Sequence, residues 1–213
     1  MIISHRHRFI FFAIPKTGTH AVRRALRAHL GPEDMEQVGL FEQRALPYAQ
    51  IAALRHGHIS VRQIRPLIGE AVFKSYFKFA FVRNPFDRFV SYCSFVTRSG
   101  GEFERDPRSA MKYVIKELRP LGHILYRPQY EFLVGDDGML QMDMLCRQET
   151  MQQSYAAACA RIGIPPAPLE RVNATQPRRS FREYYDDELI ALVSDLYRDD
   201  LRLFGYTFDE AVR

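Results

Sequence analysis

Phe9 to Ile14 is one continuous apolar run, and the chain then turns basic through Pro15-Lys16-Thr17-Gly18-Thr19-His20 before good helix formers from Ala21 to Leu30. An apolar run of that length, punctuated by proline and glycine, reads as a buried strand, and Thr19 to Leu30 reads as a helix stopped by Gly31-Pro32. A strand that passes straight into a helix belongs to an alternating β and α architecture, in which helices cover a sheet. It also sets the basic turn at a helix N-terminus, where free backbone N–H groups and the positive end of the dipole face an anion. Lys16 adds a mobile cation there, and Thr17 and Thr19 add hydroxyl donors. Along the helix, Arg23, Arg24 and Arg27 are expected to lie away from Val22, Ala25 and Leu26.

A second apolar run, Phe77 to Val82, ends in Arg83-Asn84-Pro85-Phe86-Asp87-Arg88-Phe89-Val90-Ser91. Asn84 suits a helix cap with Pro85 at the first helical position. Phe86, Phe89, Val90 and Cys93 then form an apolar stripe, with Asp87, Arg88 and Ser91 facing elsewhere. Two basic strand-to-helix junctions read as two anion clamps for one ligand, and the chemistry implied is transfer of a group attached to a phosphate.

The remaining pattern continues the alternation. Residues 33 to 55 are irregular, with a short helical stretch near Ala49 to Arg55, and Ile59 to Ile68 holds a turn and a helix. Thr97 to Arg108 is expected to be a mobile loop, followed by a helix from Ser109 to Leu118. The turn Gly135-Asp136-Asp137-Gly138 leads to a strand at Met139 to Leu145, then a helix at Thr150 to Ile162. After the break at Pro165-Pro166-Ala167-Pro168 a long helix is expected near Asp187 to Leu203. The fold class predicted is α/β, with a central, mainly parallel sheet flanked by helices.

Length and charge fit one soluble enzyme domain over residues 1–213. With 46% hydrophobic and 26% charged residues the chain can build a sizeable core. Its net charge of +5 favours anionic ligands, yet the 30 lysines and arginines are spread rather than blocked, so a polyanionic cofactor or substrate fits better than nucleic acid. The N-terminal apolar stretch is too short for a secretory signal or a membrane span. Cys93, Cys146 and Cys159 lack metal-ligand spacing and read as reduced thiols of a cytoplasmic protein.

The order of residues in the first turn narrows the ligand. A nucleoside triphosphatase loop reads G-x-x-x-x-G-K-[ST], whereas here Lys16 precedes the only nearby glycine and no glycine lies in residues 1–17. P-K-T-G-T resembles instead the 5′-phosphosulfate loop of sulfotransferases that use 3′-phosphoadenosine-5′-phosphosulfate (PAPS), which leave 3′-phosphoadenosine-5′-phosphate (PAP). The segment from Phe81 to Ser91 resembles their 3′-phosphate motif. The resemblance implies a P-loop-like nucleotide-binding fold, with Pro15, Lys16, Thr17, Gly18, Thr19 and His20 around the phosphosulfate and Arg83 and Ser91 on the 3′-phosphate. His20 departs from the family pattern, which usually has serine or threonine there; its side chain either touches the ligand or caps the helix.

Between the clamps, His56-Gly57-His58-Ile59-Ser60 is similar to the H-G-H-V-S segment of glycosaminoglycan 2-O-sulfotransferases. The match implies His58 as the base that takes the acceptor's proton, with His56 supporting it or touching substrate. An unperturbed imidazole, with a pKa near 6.5, suits that task. The resemblance further implies that Thr175 and Arg178, in the loop after the proline break, approach the nucleotide. Arg127 and Gln129, in Tyr126-Arg127-Pro128-Gln129-Tyr130, are implied to face the acceptor, a small molecule or glycan. No metal is expected in the reaction.

Blander readings stand beside these. Arg83 also suits a strand-end ion pair with Asp87, Ser91 a helix surface, and His56 with His58 a structural or metal-binding pair. A small-molecule kinase with a variant phosphate loop and a non-catalytic module for a bisphosphorylated nucleotide or polyanion are the alternative functions.

Overall fold

The structure, a computed structural model, describes residues 1–39, 43–170 and 180–209. In chain order the elements are β1 (Ile2–Ser4), β2 (Phe9–Phe12), α1 (Thr19–Arg27), β3 (Met35–Glu36), α2 (Ala49–Ala52), α3 (Val61–Ile68), α4 (Glu70–Ser75) and β4 (Phe77–Val82). There follow α5 (Pro85–Val96), α6 (Glu102–Arg105), α7 (Pro107–Lys112), a π-helical stretch Tyr113–Leu118, β5 (Met144–Arg147), α8 (Met151–Ile162), α9 (Asp187–Leu196) and α10 (Arg198–Phe204). The chain divides into two compact units, the first built from residues 1–82 and 129–172 and the second from 83–128 and 173–213.

The first unit holds a five-stranded sheet in the order β3-β1-β2-β4-β5. The expected parallel pairs are present: Phe9 to Phe12 of β2 run beside Phe77 to Ala80 of β4, and Phe79 to Val82 of β4 beside Met144 to Arg147 of β5. The sheet is nevertheless mixed rather than mainly parallel, because β1 pairs antiparallel with both β2 and β3. A short polar turn, His5 to Arg8, joins β1 to β2, and a connection that short permits only an antiparallel partner. Asp34 secures this corner. Its carboxylate accepts from the Ser4 hydroxyl at 2.8 Å, the His5 amide at 2.6 Å and the Gly31 amide at 2.9 Å.

Residues two apart on a strand share a face, so Phe9 and Phe11 of β2 and Phe79 and Phe81 of β4 project together. Val22 and Leu26 of α1 and Tyr155, Ala158, Cys159 and Ile162 of α8 cover them. The alternate residues Ile10, Phe12, Ala80 and Val82 are buried too, which is why both strands are apolar throughout. Each fully buried phenylalanine is worth about 1.5–3 kcal/mol of transfer free energy.

Several expected boundaries move. Helix α1 stops at Arg27, whose guanidinium is taken by the buried Glu36 of β3, Nε to Oε2 at 2.8 Å and Nη2 to Oε1 at 2.9 Å. The last strand is Met144–Arg147, not Met139 to Leu145, since Leu140 is drawn into an antiparallel bridge with Val134. Arg23 is also misassigned by the helical pattern: it is only 4% exposed.

In the second unit Phe86, Phe89, Tyr92 and Cys93 of α5 pack with Tyr126, Tyr185, Leu189, Val193 and Tyr197. Arg88, expected outside this stripe, is buried, and its Nη2 donates to the carbonyls of Leu125 at 3.1 Å and Arg127 at 2.8 Å. The segment expected as a loop carries α6 and the start of α7, where Asp106 caps by accepting from the Ser109 amide at 3.1 Å. That Asp-Pro cap signal was present in the sequence. The long final helix is broken at Tyr197, whose φ is −112° and whose hydroxyl donates to the Tyr126 carbonyl at 2.8 Å. All three cysteines are buried and unbridged. Among the described residues no helix is long and apolar enough to cross a membrane.

Candidate functional site

The topology of the first unit selects one edge of its sheet. The chain leaving β2 reaches β3, two places away on one side, whereas the chain leaving β4 returns to β5 on the other side. The C-terminal ends of β2 and β4 therefore flank a switch in strand order, the position where open α/β sheets leave a crevice for ligands. The turn at Pro15 to Thr19 emerges there from β2.

The backbone of that turn is unusual. Lys16 has a φ of +66° and Gly18 one of +77°, so two residues of the turn are left-handed and only one of them is glycine. A non-glycine residue in this region costs about 1–2 kcal/mol, and local strain of this sort collects where function requires it. Turns that mix right- and left-handed residues point successive N–H groups into one concavity that suits an anion. Gly18 caps α1 without any side-chain hydrogen bond, and no acidic residue stands in the first turn of that helix. The glycine is required by its φ of +77°, whereas a Cβ there would meet only the end of the flexible Met151 side chain.

Thr17 departs from expectation. Its side chain is fully buried and its hydroxyl donates to the Ile14 carbonyl at 3.0 Å, so that proton braces the turn and only the backbone N–H remains to offer a ligand. Thr19 is 3% exposed, Pro15 is buried, Lys16 is half-buried and His20 is exposed.

His58 reaches the same strand end. Its Nδ1 lies 2.8 Å from the carbonyl oxygen of Ala13, two residues before Pro15. A carbonyl only accepts, so Nδ1 carries the proton and Nε2 carries a lone pair. Burial pushes this imidazole down to about 3, against the opposing pull of the Ala13 hydrogen bond. The ring is thus neutral across the physiological range. His56 lies beside it, ring centroids 6.0 Å apart. No set of three or more histidine, cysteine or acidic side chains among the described residues is placed to hold a metal ion.

Two residues that support this arrangement gave no signal in the sequence. The buried amide of Gln37 donates from Nε2 to the carbonyls of Ile51 at 2.7 Å and His56 at 3.0 Å, and its Oε1 accepts from the Leu46 amide at 3.1 Å. Arg23 brings Nη2 to 3.0 Å from Nδ1 of His20. Gly57 is the close-approach point, because a Cβ there would stand 2.3 Å from the Gln37 carbonyl oxygen and 3.0 Å from Nη1 of Arg23. Gly57→Ala is expected to cost about 1–3 kcal/mol of stability, as overpacking does, and to lower turnover by moving His58. Urea unfolding checks the first effect, and an unchanged midpoint would show that the turn gives way freely.

In the second unit Arg83, the residue after β4, is 3% exposed and ion-paired with Asp87, with Nε at 2.8 Å and Nη2 at 2.7 Å from Oδ2. The strand-end ion pair is therefore real. Ser91 lies one turn beyond Asp87 on α5 and is half-buried. Arg127 is half-buried and its carbonyl is held by Arg88, as described above. Gln129, in the first unit, is fully buried and presents no surface to an acceptor. Thr175 and Arg178 lie outside the described residues.

Over residues 1–207 the chain matches the family model described as "Sulfotransferase family". No curated protein and no solved structure matched it.

Proposed function

Because the chain belongs to the sulfotransferase family, we propose that it transfers the sulfuryl group of PAPS to a hydroxyl of a carbohydrate acceptor, on a P-loop-like fold. The observation that supports this most is the pairing of an anion-receiving turn, left-handed at Lys16 and Gly18, with a neutral imidazole on the Ala13 carbonyl of the same strand end.

The turn fits a phosphosulfate on its own geometry. Its cap residue Gly18 makes no side-chain hydrogen bond, Lys16 supplies a cation, and no carboxylate stands in the first turn of α1. PAPS supplies a sulfuryl group on a phosphate that leaves as an anion. The backbone N–H groups of Thr17 to His20 hold that anionic end, and Lys16 Nζ offsets charge on the bridging oxygen. His58 receives the acceptor's proton at Nε2, while its Nδ1–H stays on Ala13. Donors preorganised in this way contribute about 3–4 kcal/mol each to a barrier. Arg83, oriented by Asp87, and Ser91 are the proposed partners of the 3′-phosphate. The carbohydrate class rests on the H-G-H segment, in which His56 is the neighbour placed to touch acceptor.

Calorimetry tests the cofactor. PAP is expected to bind at least about tenfold more tightly than AMP, since a charge-assisted phosphate contact is worth more than a neutral hydrogen bond, and Arg83→Ala is expected to erase most of that difference. Equal affinity for AMP, or a strict need for Mg²⁺, would favour the kinase. PAP binding without transfer of labelled sulfate to any of a glycan panel would favour the non-catalytic module.

A further inference from the structure

Arg23 is a buried guanidinium although the helical pattern places it away from the apolar side chains of α1, and arginine is rarely buried without a specific engagement. One end of it meets His20, with Nη2 at 3.0 Å from Nδ1. Another meets the H-G-H turn, where Nη1 would stand 3.0 Å from any Cβ at position 57. The residue at 57 is glycine, which leaves that space to the guanidinium.

We propose that Arg23 is a positioning residue of the transfer site, fixing His20 as the Nε2–H tautomer and seating the H-G-H turn against α1. A guanidinium is only a donor, so the His20 nitrogen facing it must accept, and the proton of the neutral ring resides on Nε2. His58 is held the opposite way, with its proton on Nδ1 toward Ala13 and its lone pair on Nε2. The two imidazoles flanking the turn thus receive complementary roles. His20 presents an N–H donor and His58 presents the acceptor of a proton, which removes His20 as the base.

The charges around both rings act in the same direction. His20, an exposed residue whose ring is partly shielded from solvent, is held below its ordinary value first by that desolvation and then by Arg23, Arg24 and Lys16, all cations. His58 is lowered by burial first, with smaller effects from the Met1 amino group, His56 and Arg23, and only the Ala13 hydrogen bond opposes them. The tautomer assignment depends on the His20 and Ala13 contacts alone, whereas its consequence for transfer rests on the sulfotransferase reading.

Long-range ¹⁵N–¹H correlation spectra of the ¹⁵N-histidine-labelled protein test the assignment without any turnover. At neutral pH the wild type is expected to show His20 as Nε2–H and His58 as Nδ1–H. Arg23→Met is expected to give His20 a mixture of tautomers with a higher titration midpoint, and Arg23→Lys, which keeps the charge, to restore the low midpoint. With an active acceptor in hand, Arg23→Met is expected to lower kcat by up to about 10²-fold with little change in the affinity for PAP. A wild-type His20 protonated on Nδ1, a result that does not depend on any variant folding, overturns the proposal, as does an Arg23→Met spectrum identical to wild type. Failure to bind PAP or to transfer sulfate would overturn the functional reading and leave the spectral outcomes to decide Arg23 separately.

Discussion

Replacing Lys16 by glycine is expected to lower turnover by about 10²- to 10³-fold, the usual loss when one preorganised charge-stabilising donor is removed, while leaving the protein at least as stable as before. The two effects have separate causes. Lys16 holds a φ of +66°, a conformation glycine adopts freely, so the substitution relieves about 1–2 kcal/mol of backbone strain. Glycine also gives the unfolded chain more freedom, which takes back about 0.5–1 kcal/mol. The net change is near zero or stabilising. Turnover falls because the ammonium is proposed to interact more strongly with the departing oxygen than with the bound ground state, and such an interaction appears in kcat rather than in affinity. Lys16→Ala is the control, expected to lose turnover equally but to keep the strain. Denaturant unfolding with single-turnover kinetics would check both effects, and normal turnover in either variant would remove Lys16 from the chemistry.

His58→Gln is expected to bind PAP about normally and to lose about 10²- to 10⁴-fold in transfer, the range for a general base. Glutamine keeps an N–H donor that can face Ala13, so the loss reports on the missing lone pair rather than on collapse of the turn. His56→Ala is expected to be milder or to act on acceptor affinity. Equal loss in both variants would mean that the H-G-H segment acts only as structure.

The pH dependence follows from burial. The ordinary imidazole value of about 6.5 would put an acid limb near neutrality, yet burial pushes His58 down to about 3. The free enzyme is therefore expected to keep its base unprotonated down to pH values well below 6. Such a ring is a weak proton acceptor by itself, and an anion bound beside it should raise its value. Titration of His58 by NMR with and without PAP is expected to show that rise. Stability has the corresponding sign. The folded-state value is depressed, so stability is fully present above about 6.5 and is lost as pH falls toward about 3, because the unfolded chain takes a proton that the folded chain refuses. His58→Gln should flatten stability in that window, and an identical slope in the variant would show that other groups produce it.

Local sequence was enough to specify the strand at Phe9, the basic turn, the helix behind it and the second junction at Asn84-Pro85, because each depends on neighbours within a few residues. It also determined which side chains are chemically capable: a cation at Lys16, a glycine able to adopt φ +77° at position 18, and an imidazole at position 58. How those groups are used depends on contacts made only in the folded chain. The Thr17 hydroxyl is spent on Ile14, three residues back, and Arg83 is engaged by Asp87, because a turn and a helix start bring each partner within reach. His58 obtains its tautomer from Ala13, 45 positions away in the chain. Arg23 is buried rather than exposed because Gly57 leaves room for it, and β1 joins the sheet antiparallel because its turn is short. Periodicity and local propensity are summed over one turn or one strand, whereas burial and the choice of hydrogen-bond partner depend on groups that only the folded chain brings together.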